Sequence, residues 1–285
     1  MSNIKLGLSG CKIELLSKNI IRKHSKDLSY NARLVSQANK QKYFNSLYIP
    51  NISSPQVYSI NQNNLYYFDM EYCTGKNYFQ FLDNCSIKDS QDILCTLFRY
   101  FDFIINNSQP LEYNYVKDKI IQKLQSLASK SEYSKIINCI IETYDELGIN
   151  NVRSSFCHGD LTFSNILFSK GHIYFIDFLD SFIDSYYIDF AKVKQDIYYH
   201  WAININHDES LRILQNFSFF WYNICERYSE IISSETFDLF DFLNLIRIEP
   251  YANETHREIL RHCIRKHKYY VNFNSTNGRS VIQIS

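Results

Sequence analysis

Chain breakers are scarce. Glycine occurs 7 times and proline 4 times in 285 residues, too few for the many tight turns of an all-β sandwich, so long helices are expected. Cysteine occurs 8 times but never as a C-x-x-C pair: Cys11, Cys73, Cys85, Cys95, Cys139, Cys157, Cys225 and Cys263 stand singly. This spacing argues against a zinc ribbon, and a chain long enough for its own core does not need a disulfide framework. Net charge is also missing. Thirty basic and 30 acidic residues cancel, so no global field draws the protein to nucleic acid or anionic lipid. No window approaches eighteen consecutive apolar residues, which argues against a membrane span. The opening Met1-Ser-Asn-Ile-Lys-Leu-Gly7 lacks the apolar core of a signal peptide. A soluble, reduced, cytoplasmic protein is expected. What is abundant is aromatic: 23 Tyr and 21 Phe within 45% hydrophobic and 21% charged content, the profile of a globular chain with a substantial core.

One stretch organises the rest. Ser155-Phe-Cys-His-Gly-Asp-Leu-Thr-Phe-Ser-Asn-Ile-Leu-Phe168 is followed by Tyr174-Phe-Ile-Asp-Phe178. It reads as a loop between short strands that holds Asp160 and Asn165, with Asp177 delivered by the next strand. Asp and Asn offer the hard oxygen ligands that Mg²⁺ prefers beside substrate phosphates. A carboxylate left free of metal accepts a proton from a hydroxyl nucleophile. Those parts suffice for phosphoryl transfer, where a protein mostly positions groups and neutralises charge.

His158-x-Asp160-Leu-x-x-x-Asn165 followed by Ile176-Asp177-Phe178 resembles the catalytic loop and metal-binding strand of the protein-kinase-like fold. Gly159 stands where protein kinases usually carry Arg, and Leu179 follows Phe178 where they carry Gly. This form is similar to the aminoglycoside phosphotransferase and choline/ethanolamine kinase group, which phosphorylates small molecules. Asp189-Phe-Ala191, twelve positions past Asp177, resembles the group's further Asp-x-Ala element. The resemblance implies an α+β, bilobal architecture, with a small β-rich N-terminal lobe carrying one helix and a larger, mainly helical C-terminal lobe. The lobes are expected at 1–70 and 77–285, with a hinge at 71–76.

Ahead of that stretch, Ile13-Glu-Leu-Leu16, a Ser-Lys-Asn turn and Asn19-Ile-Ile-Arg-Lys23 read as a β-hairpin. Gly7, Ser9 and Gly10 before it let backbone N–H groups approach an anion, although an ordinary turn explains them as well. By resemblance this is the phosphate-covering loop, and Lys23 is the phosphate-pairing lysine, with Lys12 and Lys26 as rivals. Tyr30 to Phe44 reads as a helix with Asn31 as its cap. The family places on this helix a Glu that holds the lysine, and the matching position is Gln37. A Gln amide accepts a bond from Lys23 but brings no charge, so the grip is weaker. Leu65 to Cys73 reads as a strand broken by Gly75. Met70, Glu71, Tyr72 and Cys73 resemble the hinge, whose backbone reads the nucleotide base.

Helices are expected over Ser86–Asn107, with Ile93, Leu97 and Phe101 inward, and over Val116–Ala128 and Tyr133–Leu147. Beyond them, Val193–Ala202, Leu211–Ile232, Phe237–Ile246 and His256–Tyr270 complete the helical half. Trp201, Phe217, Phe219, Phe220, Trp221 and Tyr222 fit core packing better than a cage for a cationic ligand. His256, His262, Cys263 and His267 share a helix but complete no zinc motif. The function expected is ATP- or GTP-dependent transfer of a phosphoryl group to a small hydroxyl compound such as an amino alcohol, sugar or aminoglycoside. In it, Asp160 takes the hydroxyl proton, Asn165 and Asp177 hold Mg²⁺, and His158 and Asp189 brace the loop. Asp180 and Asp184 would suit a cationic acceptor. The alternative is a nucleotide-binding scaffold without transfer activity, to which Gln37 points.

Overall fold

Residues 5–6, 11–61, 64–169, 171–206 and 210–275 are described in this computed structural model. The chain forms two compact units, one of 1–103 with 158–180 and one of 104–157 with 181–285.

The first unit is built on a five-stranded antiparallel sheet. Its strands are β1 (Lys5–Leu6), β2 (Cys11–Ser17), β3 (Ile20–Ser25), β5 (Val57–Asn61) and β6 (Tyr67–Glu71), in the order β1-β2-β3-β6-β5. The expected hairpin is β2–β3, with Ile13 opposite Lys23. Alternation along β3 turns Lys23 and Ser25 inward, while Arg22 on the other face meets its cross-strand partner Asp69 through two bonds of 2.7 and 3.0 Å. Helix α1 (Asn31–Ser46) covers the inner face, where Leu34 and Ala38 pack with Val57, Tyr66, Phe68 and Met70. Asn31 does not cap α1, whose N-cap is Tyr30 without a side-chain bond. Its side chain instead takes the Tyr66 amide at 2.9 Å and donates to the Asn64 carbonyl at 2.8 Å, tying the helix start to the entry of β6.

A second, three-stranded sheet in this unit has the order β4-β10-β9, from β4 (Ile52–Ser53), β9 (Ile166–Ser169) and β10 (His172–Phe175). It is backed by α2 (Tyr78–Leu82) and α3 (Ile87–Asn106), whose Ile93, Leu97 and Phe101 are buried as their spacing requires. Phe44, Tyr100, Phe175 and Phe178 form an aromatic cluster with ring centroids 5.0 to 6.2 Å apart. The segment 71–76 is pinned here too. Lys76 and Phe168 exchange backbone bonds of 2.9 and 2.8 Å, and a Cβ on Gly75 would lie 2.7 Å from the Leu167 Cβ, an approach that only glycine allows.

The second unit is mainly helical. A small pair of strands, β7 (Gln109–Pro110) and β8 (Arg153–Ser154), accompanies α4 (Tyr113–Ala128), α5 (Ser134–Glu142), α6 (Tyr186–Ile197), α7 (Trp201–Asn206), α8 (Leu211–Arg227), α9 (Ser229–Ile232), α10 (Glu235–Ile248), α11 (Glu254–Lys266) and α12 (Lys268–Ser275). Helices α6 and α10 pack on one another and are buried along almost their whole lengths. The expected Val193–Ala202 helix in fact begins at Tyr186 and ends at Ile197, and His200 with φ +56° separates it from α7. Leu211–Ile232 is likewise divided at Tyr228, and His256–Tyr270 at His267, whose ψ of 140° is extended. Tyr133–Leu147 gives α5 and then a short 3₁₀ turn. Apolar periodicity continues across such breaks because one residue's dihedrals reset the axis without changing composition.

Phe217 and Phe220 are fully buried, whereas Tyr222 is 68% exposed. The cation beside Trp221 is the chain's own Lys194, which also lies 5.2 to 5.4 Å from the Tyr198, Tyr199 and Phe237 rings. All eight cysteines are free thiols. Among the described residues no helix is long and apolar enough to cross a membrane, and no cluster of three or more His, Cys, Asp or Glu side chains could hold a metal ion.

Candidate active site

Strand pairing places the key side chains of the first unit. In the β9–β10 hairpin Ile166 opposes Phe175, so the next residues outward, Asn165 and Ile176, also face each other. Their backbones meet, the Ile176 amide donating to the Asn165 carbonyl at 3.0 Å. Asp177 follows at once. It lies two residues past the end of β10 rather than on the strand, with φ +61°. This left-handed conformation is costly for most residues and easiest for Asn and Asp, and such outliers gather at functional sites.

On the other side of Asn165 stands Asp160. The Asn165 amide nitrogen donates to the Asp160 carbonyl at 2.8 Å and to its carboxylate at 3.1 Å. With Nδ2 so engaged, Oδ1 is the Asn165 atom left to meet a cation. The Asn165 amide oxygen and the Asp177 carboxylate make a hard-oxygen donor set that suits Mg²⁺. The loop between is held by His158, fully buried against Phe178 at 4.3 Å between ring centroids. Its Nε2 donates to the Ile176 carbonyl at 2.8 Å, and its Nδ1 accepts from the Asp160 amide at 3.2 Å. Burial pushes this imidazole down to about 4, so it is neutral and serves as one donor and one acceptor.

Lys23 completes the group. Its side chain is 2% exposed, and its ammonium donates to Asp177 Oδ1 at 2.5 Å, while the Asp177 side chain is 36% exposed. Burial alone would lower the Lys23 pKa, yet the Asp177 charge and hydrogen bond outweigh it and the net shift is upward. Lys12 and Lys26, the rivals, are both exposed. Successive hydrogen bonds therefore run from Lys23 to Asp177, and from Ile176 through Asn165 to Asp160.

Other expected residues fall less simply. Gly7, Ser9 and Gly10 lie outside the described residues. Gln37 is buried at 3% exposure, but the expected bond to Lys23 is not formed, and among the described residues neither of its amide atoms has a hydrogen-bond partner. The reason is electrostatic. A buried ammonium pairs more strongly with a carboxylate than with a neutral amide, and Asp177 is within reach. Met70 is buried in β6, where the Gln41 amide donates to its sulfur at 3.5 Å. Glu71 accepts from the Gln56 amide at 3.2 Å, and the Tyr72 amide donates to the Asn19 carbonyl at 2.8 Å. Burial, then Glu71, pushes the Cys73 thiol up to about 12. Asp189 is fully buried on α6, in the second unit.

Two residues went unread in the sequence. Ser36 donates to the Asp180 carboxylate, and Lys40 donates to the Leu179 carbonyl at 2.8 Å. Spaced four apart on one face of α1, they clamp the helix to the segment just beyond Asp177. Asp180 is thus engaged by Ser36, and exposed Asp184 lies in the second unit.

No curated protein sequence matches the chain. Solved structures match its fold. The ternary complex of streptomycin, ATP and APH(2″)-IIa aligns over 95% of this chain and 93% of that one, with 13% identity and a TM-score of 0.60. ADP-bound aminoglycoside phosphotransferase APH(2″)-Ib aligns over 95% and 94%, with 14% identity and a TM-score of 0.61. A choline/ethanolamine kinase family protein from Mesorhizobium loti aligns over 98% and 90%, with 12% identity and a TM-score of 0.55. Residues 110–213, which include Asp160, Asn165, Asp177 and Asp189, match the phosphotransferase enzyme family (APH), and the chain has the α+β, kinase-like fold of the aminoglycoside phosphotransferases and the choline/ethanolamine kinase family.

Proposed function

We propose that the protein is a phosphotransferase that moves the γ-phosphoryl group of ATP or GTP to a hydroxyl of a small molecule. The observation that carries this reading is the double role of Asn165, whose side-chain nitrogen holds Asp160 while its backbone carbonyl holds Ile176 beside Asp177. Three oxygen-bearing side chains are thereby fixed in one connected group, with Lys23 on Asp177. Asp160 takes the proton of the acceptor hydroxyl as its oxygen bonds to the γ-phosphorus, and the bond to the bridging oxygen breaks to release the nucleoside diphosphate. Lys23 pairs with the nucleotide phosphates, and the phosphate-covering role of Gly7, Ser9 and Gly10 rests on their sequence alone. The backbone of Met70, Glu71, Tyr72 and Cys73 receives the base, at a hinge spanning 71–76 between lobes of 1–70 and 77–285. His158 holds the loop as a neutral bridge. Asn165 Oδ1 and the Asp177 carboxylate would hold Mg²⁺, which when bound neutralises charge developing on the transferred phosphoryl group.

The fold relatives named above are aminoglycoside phosphotransferases and a choline/ethanolamine kinase family protein by name, and this supports an acceptor of amino-alcohol, sugar or aminoglycoside type. A second reading, a nucleotide-binding scaffold, is favoured by one observation: Gln37 brings no carboxylate to Lys23. Mg²⁺-dependent nucleotide turnover against a panel of alcohols, amino alcohols and amino sugars separates the two. Acceptor-stimulated turnover that disappears in Asp160→Asn while nucleotide binding persists is the expected result. Full turnover in Asp160→Asn would remove the base assignment, and no stimulation by any acceptor would favour the scaffold.

A further inference from the structure

Lys23 and Gln37 carry an unresolved pairing. Lys23 and Phe68 are cross-strand partners, so their side chains share the inner face of the sheet. Phe68 packs there with Leu34 and Ala38 of α1, the residues that flank Gln37 on its helix. The same stretch of α1 is clamped by Ser36 and Lys40 to Asp180 and Leu179, just past Asp177. The α1 residues on either side of Gln37 thus reach both the lysine's strand and the aspartate's segment, and Gln37 itself is buried with neither amide atom partnered among the described residues. An orphaned buried amide in a native core calls for a reason.

We propose that Lys23 has two seats. With no divalent cation present its ammonium neutralises Asp177. When a cation takes the Asp177 carboxylate, the ammonium moves to the Gln37 amide oxygen and the nucleotide phosphates. Cation binding and lysine release are then a single exchange, and Gln37 is the positioning residue of the released state. A carboxylate at position 37 would hold the lysine permanently, whereas a neutral amide lets Asp177 win it back. The exchange rests on the reading of Asp177 as a metal ligand. It predicts that a divalent cation alone binds weakly, because it must displace a buried ammonium, and that nucleotide strengthens the binding by receiving that ammonium.

The test titrates Mn²⁺ alone into the full chain, without nucleotide or acceptor, and follows free Mn²⁺ by electron paramagnetic resonance. Gln37→Glu gives Lys23 a competing anion, and Lys23→Met removes the resident cation. Each is expected to tighten Mn²⁺ binding by about tenfold. Either variant binding Mn²⁺ no more tightly than the wild-type chain, with a native circular dichroism spectrum, overturns the exchange. Should Gln37→Glu fail to fold, Lys23→Met decides by the same criterion. Asp177→Ala checks the underlying reading separately. Mn²⁺ affinity unchanged in that variant removes the ligand assignment, whereas Asp177-dependent binding that ignores the other two substitutions overturns only the exchange.

Discussion

The Ile176 amide donates to the Asn165 carbonyl at 3.0 Å, and this bond extends the hairpin into the candidate site. It fixes Asp177 relative to Asn165, which in turn holds Asp160 by two bonds from one nitrogen. Asn165→Ala therefore removes the support of Asp160 and, on the proposed function, one oxygen ligand as well. Misplacement of a reacting group by an ångström costs roughly 10²-fold in rate, and a loss of about that size is expected, with a higher Mg²⁺ concentration at half-saturation. Asn165→Asp keeps an oxygen ligand but cannot donate to Asp160. Its turnover should fall comparably while its Mg²⁺ requirement stays near wild type. Equal Mg²⁺ shifts in both variants would show that Asn165 acts only as a brace.

Gly75 is where the segment after β6 crosses β9. A methyl group there meets the Leu167 Cβ at 2.7 Å and the Phe168 amide nitrogen at 3.2 Å, and backbone on one side leaves little room to relax. Gly75→Ala should cost about 1–3 kcal/mol by overpacking, seen as a fall in Tm of roughly 2–4 °C per kcal/mol. It should also disturb the Lys76–Phe168 bridge and so weaken nucleotide binding. Wild-type Tm in Gly75→Ala would mean that the strands separate freely at this point.

The grouping of the candidate site was legible in side-chain identity. His158, Asp160, Asn165 and Asp177 follow one another at a set order and spacing, Lys23 ends an apolar strand, and hydrogen bonds tie Lys23 to Asp177 and Asn165 to Asp160. The lysine's partner was not legible. Lys23 and Asp177 are 154 positions apart, and nothing in local pattern says that Asp177 rather than Gln37 receives the ammonium. The early start of α6 was hidden for a different reason. Tyr186 to Ile197 is buried on nearly every side, its polar residues Asp189, Lys192, Gln195 and Asp196 included, so polarity there does not mark a solvent face as it does on a surface helix. The left-handed φ of Asp177 leaves no trace in an apolar run, so the sequence predicts strand where the chain turns.

The buried imidazole of His158 gives the site a pH signature. Burial lowers its pKa from 6.5 to about 4, so below 6.5 the unfolded chain binds a proton that the folded chain refuses. The stabilisation from neutral His158 is complete above about pH 6.5 and is lost as pH falls toward 4. His158→Phe keeps a ring but abolishes the titration. The stability gap between wild type and this variant should narrow from pH 7 to pH 5 by about 2 kcal/mol, since 1.5 pH units at 1.36 kcal/mol each are removed. Urea unfolding at the two pH values measures it, and a gap that does not change would mean that the imidazole is solvated in the folded chain.

In the second unit, Asp241 is fully buried and accepts from Lys194 Nζ and Tyr199 Oη, each at 2.7 Å, with His267 Nε2 at 3.5 Å. Burial alone would raise this carboxyl, but Lys194 above all, then His267, holds it below its usual range. The group is therefore ionised at neutral pH, and its contribution is lost only in acid, as pH falls through a pKa below 3.8. Removing one partner strands a buried charge, so Lys194→Met should destabilise by about 3–5 kcal/mol. Adding Asp241→Asn removes the stranded charge yet leaves an oxygen for the Tyr199 hydroxyl. The double variant should therefore recover at least half of the loss in denaturant unfolding. If it is no more stable than Lys194→Met, the helices are held by packing around Lys194 rather than by the pair, because only the electrostatic debt is repaired by the second substitution.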